Sequence, residues 1–265
     1  MYVKVNGFGI DYSIEGPNTG VPVIFIHGFP FSKEMWRPQV AEFKKDYAVL
    51  SYDVRGHGLS DVGNGQYTIE YCVDDLFGLL DILHIPKAVI VGSSMGGYIA
   101  LRAVERNQDR FIGLVLCDTR SEDDSNEVKI KRATDARKVK IYGMKKFANK
   151  FLPAVLTENN VHKKTEVWRH LHDIIERNSA NAMAGMMIAL AGRTNSTAFL
   201  PSIKIPTLIM VGQFDELTPP SCSISMKEKI SDSALHIIPN AAHMSNVENP
   251  EEFNKILRKF LKSIE

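Results

Sequence analysis

At 265 residues and 44% hydrophobic, the chain can bury a full core, and its length suits one domain carrying an insertion. Its 32 Lys+Arg against 31 Asp+Glu leave a net charge of +1, so no overall field recruits nucleic acid or an anionic membrane surface. "MYVKVNGFGIDYS" has no apolar signal core, no run reaches the roughly 18 apolar residues of a bilayer span, and Cys72, Cys117 and Cys222 are too scattered for a disulfide or metal framework, so a cytoplasmic protein is expected.

The chain opens on "YVKVNGFGIDYSIEG", which alternates about an Asn-Gly turn as a β-hairpin does. "VPVIFIHG" and "YAVLSYD" follow, short runs rich in β-branched and aromatic residues and apolar on both faces, as buried parallel strands are. "AVIVGS", "FIGLVLCD", "PTLIMVGQFD" and "ALHIIPNAAH" repeat that type, with helix-like stretches at 68–83, 95–107, 219–230 and 250–263. Alternating strands and helices predict a mostly parallel sheet covered on both faces. The alternation fails between 120 and 199, where every stretch is helix-like and 15 Lys+Arg stand against 9 Asp+Glu. The expected organisation is therefore a core of 1–119 and 200–265 with a helical cap over 120–199. The cation excess there fits solvated helix faces, or a preference for anionic substrates.

"VIVGSSMGGYIA", residues 89–100, is a Gly-rich strand-to-helix turn. A dinucleotide fingerprint would need glycine where Ser94 stands, and a P-loop would need Lys and Ser/Thr after the glycines. The pentapeptide Gly92-Ser93-Ser94-Met95-Gly96 does satisfy G-x-S-x-G, whose strained turn exposes the central hydroxyl above a sheet. Ser93 does not fit, because Val91 would take its first glycine position.

A serine at such a turn needs a base and an acid, in the order Ser, acid, His. Asp215 in "GQFDELTPP" and His243 in "NAAHMSNVENP" have that order, each in a loop past its own strand. Taken singly, Asp215 reads equally as a helix cap and His243 as a loop histidine. Asp118, at the end of "GLVLCD", is a rival acid, less favoured by order and position. The oxyanion of acyl transfer needs backbone donors, expected from Met95 and, in His27-Gly28-Phe29-Pro30, from Phe29. Pro30 has no N–H, and His27 is expected to shape that loop.

Those residues, with "DVRGHGLS" after the second parallel strand, resemble the α/β-hydrolase superfamily over essentially the full length. "LVLCDTRSEDDS", "ALAGRTNST" and "VGQFDELTPP" are similar to small microbial carboxylesterases close to the 3-oxoadipate enol-lactonases. The resemblance implies an eight-stranded sheet, a helical cap, a Ser94-His243-Asp215 triad and no cofactor, with "DVRGHGLS" bracing the core. Serine at the nucleophile position departs from the dehalogenase and epoxide-hydrolase branches, which mount an aspartate.

His162, His170, His172 and Asp173 invite a metal reading, but His170 and His172, at i, i+2 on a helix, do not face each other, so no metal is expected. Trp168, Met183, Met186, Met187 and Leu190 read as cap core, some of them lining an apolar pocket. The expected activity is hydrolysis of small or short-acyl carboxylic esters through an acyl-enzyme, with ester and water as partners and a monomer or small homo-oligomer as the unit. An enol-lactonase or a C–C hydrolase would use the same parts, and a small-molecule receptor or inert scaffold could keep the pocket without turnover.

Overall fold

The computed structural model describes residues 1–264. Eight strands form one sheet: β1 (Tyr2–Val5), β2 (Phe8–Glu15), β3 (Val23–Ile26), β4 (Val49–Tyr52), β5 (Ala88–Ser93), β6 (Phe111–Cys117), β7 (Thr207–Gly212) and β8 (Ser233–Ile238). Their spatial order is β1-β2-β4-β3-β5-β6-β7-β8. The β1–β2 and β2–β4 pairs are antiparallel and all later pairs are parallel. The expected hairpin is present, turning at Asn6 and Gly7, both with positive φ.

Strands β3, β4, β5 and β7 are buried along their whole length, as their unbroken apolar runs require when helices cover both faces. The β8 strand differs from the expectation of a strand buried on both faces. It is the sheet's last strand, only Ile238 in it is buried, and Ile237 is exposed. An edge position leaves one side of β8 unpaired, so its sequence resembles a central strand without its having two neighbours.

Helices α1 (Arg37–Phe43), α2 (Ile69–Ile82), α3 (Met95–Arg106), α8 (Pro220–Lys229), α9 (Ser245–Glu248) and α10 (Pro250–Ser263) join or follow these strands. Thr68 caps α2 by accepting from Tyr71 N–H, and Asn249 caps α10 by accepting from Glu252 N–H. Between β6 and β7 come four helices in succession: α4 (Asn126–Phe151), α5 (Glu158–His162), α6 (Glu166–Arg177) and α7 (Ala180–Ala191). No strand interrupts them, as the loss of alternation predicts. The break in α4 was not legible: the helix is kinked at Gly143, where φ is +80°.

The two ends of this helical segment are sewn together. Ser196 N–H donates to Ser121 C=O at 2.9 Å, and the Ser121 and Thr197 hydroxyls are 2.9 Å apart. The guanidinium of Arg193 pairs with buried Asp124 at 2.7 Å and donates to the carbonyls of Leu190 and Glu122. It also lies over the Tyr98 ring, 4.2 Å from the centroid. Arg132 holds the same Asp124 carboxylate. The apolar residues of α4, α6 and α7 join those of the sheet in one continuous core.

Candidate active site

The loops that follow β3, β5, β6, β7 and β8 all leave the carboxyl end of the parallel sheet, the end where such sheets present their ligands. Ser94 stands between β5 and α3 with φ 51° and ψ −112°, a strained conformation for a residue with a side chain. Sterics explain the glycines around it. A Cβ on Gly92 would lie 2.2 Å from the Gly96 carbonyl oxygen, and one on Gly96 would lie 2.2 Å from that of Ile26. Larger residues at either position would push strand and helix apart and flatten the turn. Thr119 Oγ1 donates to Ser94 C=O at 2.8 Å and Ser94 N–H donates to Cys117 C=O at 2.9 Å, fixing the turn against β6.

Ser94 Oγ is 3.0 Å from His243 Nε2, and His243 Nδ1 is 2.8 Å from Asp215 Oδ2. An ionised carboxylate only accepts, so the Asp215 side fixes the proton on Nδ1 and leaves Nε2 to accept the serine hydroxyl. Asp215 is itself saturated: Oδ1 accepts the N–H groups of Leu217 and Thr218, both at 2.9 Å, and Oδ2 accepts Thr218 Oγ1 at 2.7 Å. Burial works against ionising Asp215, but the facing His243 and these donors outweigh it and hold its carboxyl below the usual range. Burial likewise works against a charged His243, and Asp215 outweighs it, so the imidazole is more basic than an ordinary histidine. The arrangement can take a proton from Ser94 and stabilise the imidazolium that results.

Phe29 and Met95 both line the cavity that contains Ser94. Met95 is the first residue of α3, so its N–H has no intrahelical acceptor and points out of the helix amino end. The loop bearing Phe29 is held by His27, whose Nδ1 donates to Gly28 C=O and whose Nε2 accepts from Val54 N–H, both at 2.9 Å. With both nitrogens committed to backbone, His27 is a neutral brace, and burial depresses its pKa to about 4. His57, from "DVRGHGLS", packs on it at 4.9 Å between ring centroids and is depressed to about 3, by burial first and by His27 second.

The cavity over Ser94 measures about 150 Å³. It is lined by Phe29, Ser94, Met95 and Tyr98 and, from α4 and α7, by Val128, Phe147, Phe151, Met187 and Leu190. Of the five cap residues singled out in the sequence, Met187 and Leu190 reach this cavity. Met183 and Met186 are buried core, and Trp168 stacks on His172 at 4.6 Å.

A model of the alpha/beta hydrolase fold matches residues 21–250. The chain belongs to the α/β-hydrolase family. It is 30% identical to 3-oxoadipate enol-lactonase 1 of Acinetobacter baylyi, over 100% of this chain and 97% of that one. A thermophilic esterase from Thermogutta terrifontis, solved with malate bound, superposes with a TM-score of 0.95 at 34% identity, covering 100% of this chain and 99% of the other. The enol-lactonase of Burkholderia xenovorans superposes with a TM-score of 0.92 at 31% identity, covering 99% and 100%.

In this α/β hydrolase the rival acid Asp118 is not the one facing His243 Nδ1. It lies behind the pair, bonded to Gly212 N–H and Ser245 Oγ. Of the groups considered for a metal, His170 Nε2 faces Glu34 C=O at 3.2 Å, while His172 and Asp173 stand with Glu176, their ligand atoms within 4.8 Å of one another. Sequence reasoning missed Thr218, which bonds Asp215 and lies 3.2 Å from His243 Nδ1. Its position in "FDELTPP", three residues after the acid, was the available signal, since Asp at i with Thr at i+3 favours a local side-chain turn.

Proposed function

We propose that this α/β hydrolase cleaves small or short-acyl carboxylic esters through an acyl-enzyme on Ser94. The observation that carries the reading is the continuous hydrogen-bonded line Ser94–His243–Asp215 opening into a small, mostly apolar cavity. His243 Nε2 takes the hydroxyl proton as Ser94 Oγ attacks the ester carbonyl. The carbonyl oxygen becomes an oxyanion between the N–H groups of Phe29 and Met95, each such donor being worth roughly 3–4 kcal/mol in the transition state. The C–O bond to the alcohol breaks, and the leaving oxygen takes the proton from His243. Water then attacks the acyl-serine, again giving its proton to His243, and expelled Ser94 Oγ takes that proton back as the carboxylic acid departs. Asp215 keeps the imidazole oriented and balances its charge throughout. In this reading the 120–199 helices act as a cap that sets acyl size.

A second reading, opening of an enol-lactone, uses the same atoms on a cyclic ester and is favoured by the enol-lactonases among the relatives. A panel of short aryl esters, simple lactones and vinylogous diketones, run with wild type and Ser94→Ala, tests the proposal. Turnover of esters that vanishes in Ser94→Ala supports it. Folded wild-type protein that releases no product from any of them would leave a binding module as the better description.

A further inference from the structure

Glu248 is the last residue of α9, and its side chain serves two distant parts of the chain at once. Its Oε2 accepts Ala242 N–H at 2.7 Å, from the residue just before His243. Its Oε1 reaches into the 120–199 helices. There it accepts Thr157 N–H and Thr157 Oγ1, both at 2.8 Å, and Asn160 Nδ2 at 2.6 Å. Thr157 and Glu248 are 91 residues apart in the chain. A carboxylate accepts and cannot donate, and here each of its oxygens holds a different segment. All four donors are uncharged and must be aimed at it, so the contact fixes placement more than it balances charge.

Both ends of this contact matter to the site. On one side, the His243 ring must stay 3.0 Å from Ser94 Oγ and 2.8 Å from Asp215 at the same time. The turn that carries it has little slack: Val247 and Glu248 N–H both donate to Met244 C=O at 3.0 Å, and Ser245 Oγ bonds Asp118. A shift of the Ala242 backbone is therefore passed to the imidazole. On the other side, Phe151 and Ala154 line the cavity over Ser94, and Thr157 follows them closely in the chain. Val155 and Leu156, in between, are buried, so this short stretch is packed to move with the cavity wall.

We propose that Glu248 is a positioning residue that ties the cavity wall at Phe151–Thr157 to the backbone of His243, so that the base is in line with Ser94 only while that wall is seated. The proposal rests on His243 being the base that activates Ser94. It goes beyond that reading by giving the 120–199 helices a part in the chemical step, besides setting acyl size. The lever is large enough, since a misplacement of about 1 Å can cost about a hundredfold in rate.

The test cuts the far end of the contact and leaves the His243 turn unaltered. Thr157→Val with Asn160→Ala removes two of the three donors to Oε1. With nitrophenyl acetate, whose acyl group is too small to need the wall, this double variant should lower kcat about 10-fold and leave KM within about twofold. Thr157→Val alone, the mildest cut, should show the same split in smaller measure. Glu248→Ala should lower kcat by about 10- to 100-fold, and adding it to the double variant should cost nothing beyond Glu248→Ala itself, because both ends act through one group. Glu248→Gln, whose amide can accept at one end only, should resemble the double variant. Thr197→Val, which loosens the opposite seam of the helices at Ser121, should leave acetate turnover near wild type. Hydrogen exchange over residues 241–249 should quicken in the double variant. An unchanged kcat in the double variant would overturn the proposal and leave Glu248 a local brace. An equal loss in Thr197→Val would also overturn it, showing a general effect of loosening the helices. If wild type hydrolyses no ester, the reading of His243 as base fails separately. Exchange then decides the tie: a faster rate in the double variant upholds it, and an unchanged rate removes it.

Discussion

Asp118 Oδ2 and Ser245 Oγ are 2.6 Å apart in the buried layer beneath the site, while Asp118 Oδ1 accepts Gly212 N–H at 2.8 Å. One carboxyl thereby joins the strand end that leads into the Asp215 loop to the segment just after His243. Burial first, and the neighbouring Asp215 charge second, push Asp118 up to about 8, so near neutrality it keeps its proton and does not compete with Asp215 for the imidazole.

An amide in place of Asp118 preserves shape and most of these hydrogen bonds. Asp118→Asn should therefore lower kcat only a few-fold at pH 7. Asp215→Asn should lower it by about 10³–10⁴-fold through the wrong imidazole tautomer. Steady-state kinetics on the two folded variants distinguishes them, and the reverse ranking would move the acid to the end of β6.

The pH dependence of kcat/KM should carry the mark of His243. The base works only when neutral, and Asp215 raises its pKa above the ordinary value of 6.5. Activity should thus rise with pH along an acid limb centred on the alkaline side of 6.5. In Asp215→Asn the residual activity should show that limb displaced to lower pH. A wild-type limb centred well below 6 would mean that some other group sets it.

Stability should respond to pH in the opposite part of the range. His27 and His57 have folded pKa values depressed to about 4 and about 3, against 6.5 when unfolded. Between these limits the unfolded chain binds up to two more protons than the native one. The stability they contribute is present above pH 6.5 and is lost as pH falls, by up to about 2.7 kcal/mol per pH unit. Urea midpoints should drop steeply from pH 6.5 to 4, and a flat profile over that interval would show that the two rings are not buried as neutral braces.

Much of the fold and of the candidate site is legible in the sequence. Strands β3 to β7 are legible as the short apolar runs of buried parallel strands and the β1–β2 hairpin by its alternation about Asn6-Gly7, and the order Ser94, Asp215, His243 follows from three strand ends. Four features were hidden, each for a physical reason. The kink at Gly143 lies inside a helix-like run, where one glycine looks like a weak helix former and not a break. The edge position of β8 depends on what does not pair with it. Which apolar residues of the 120–199 helices reach the cavity depends on packing angles, so Phe147 and Phe151 could not be told from core. Thr218 lies three residues after Asp215, but that spacing does not tell that the same hydroxyl also faces His243 from a separate loop.

A cavity of about 150 Å³ lined by Phe147 and Phe151 should limit acyl length. Each buried methylene contributes roughly 0.8 kcal/mol while room remains, and overfilling commonly costs 1–3 kcal/mol. The ratio kcat/KM for saturated aryl esters should climb over the first few carbons and then fall steeply. Phe151→Ala should move that optimum to longer chains. A steady rise to the longest esters, with activation at an oil–water interface, would point to an open groove.

The most direct measurement is to inactivate the enzyme with a phosphonate or sulfonyl fluoride and locate the adduct by mass spectrometry. The label should fall on Ser94, with activity lost in step, and Ser94→Ala should take no label and hydrolyse no ester, while Ser93→Ala should keep substantial activity. A label on Ser93, or undiminished turnover in Ser94→Ala, would contradict a mechanism in which the 3.0 Å Ser94–His243 contact starts the reaction.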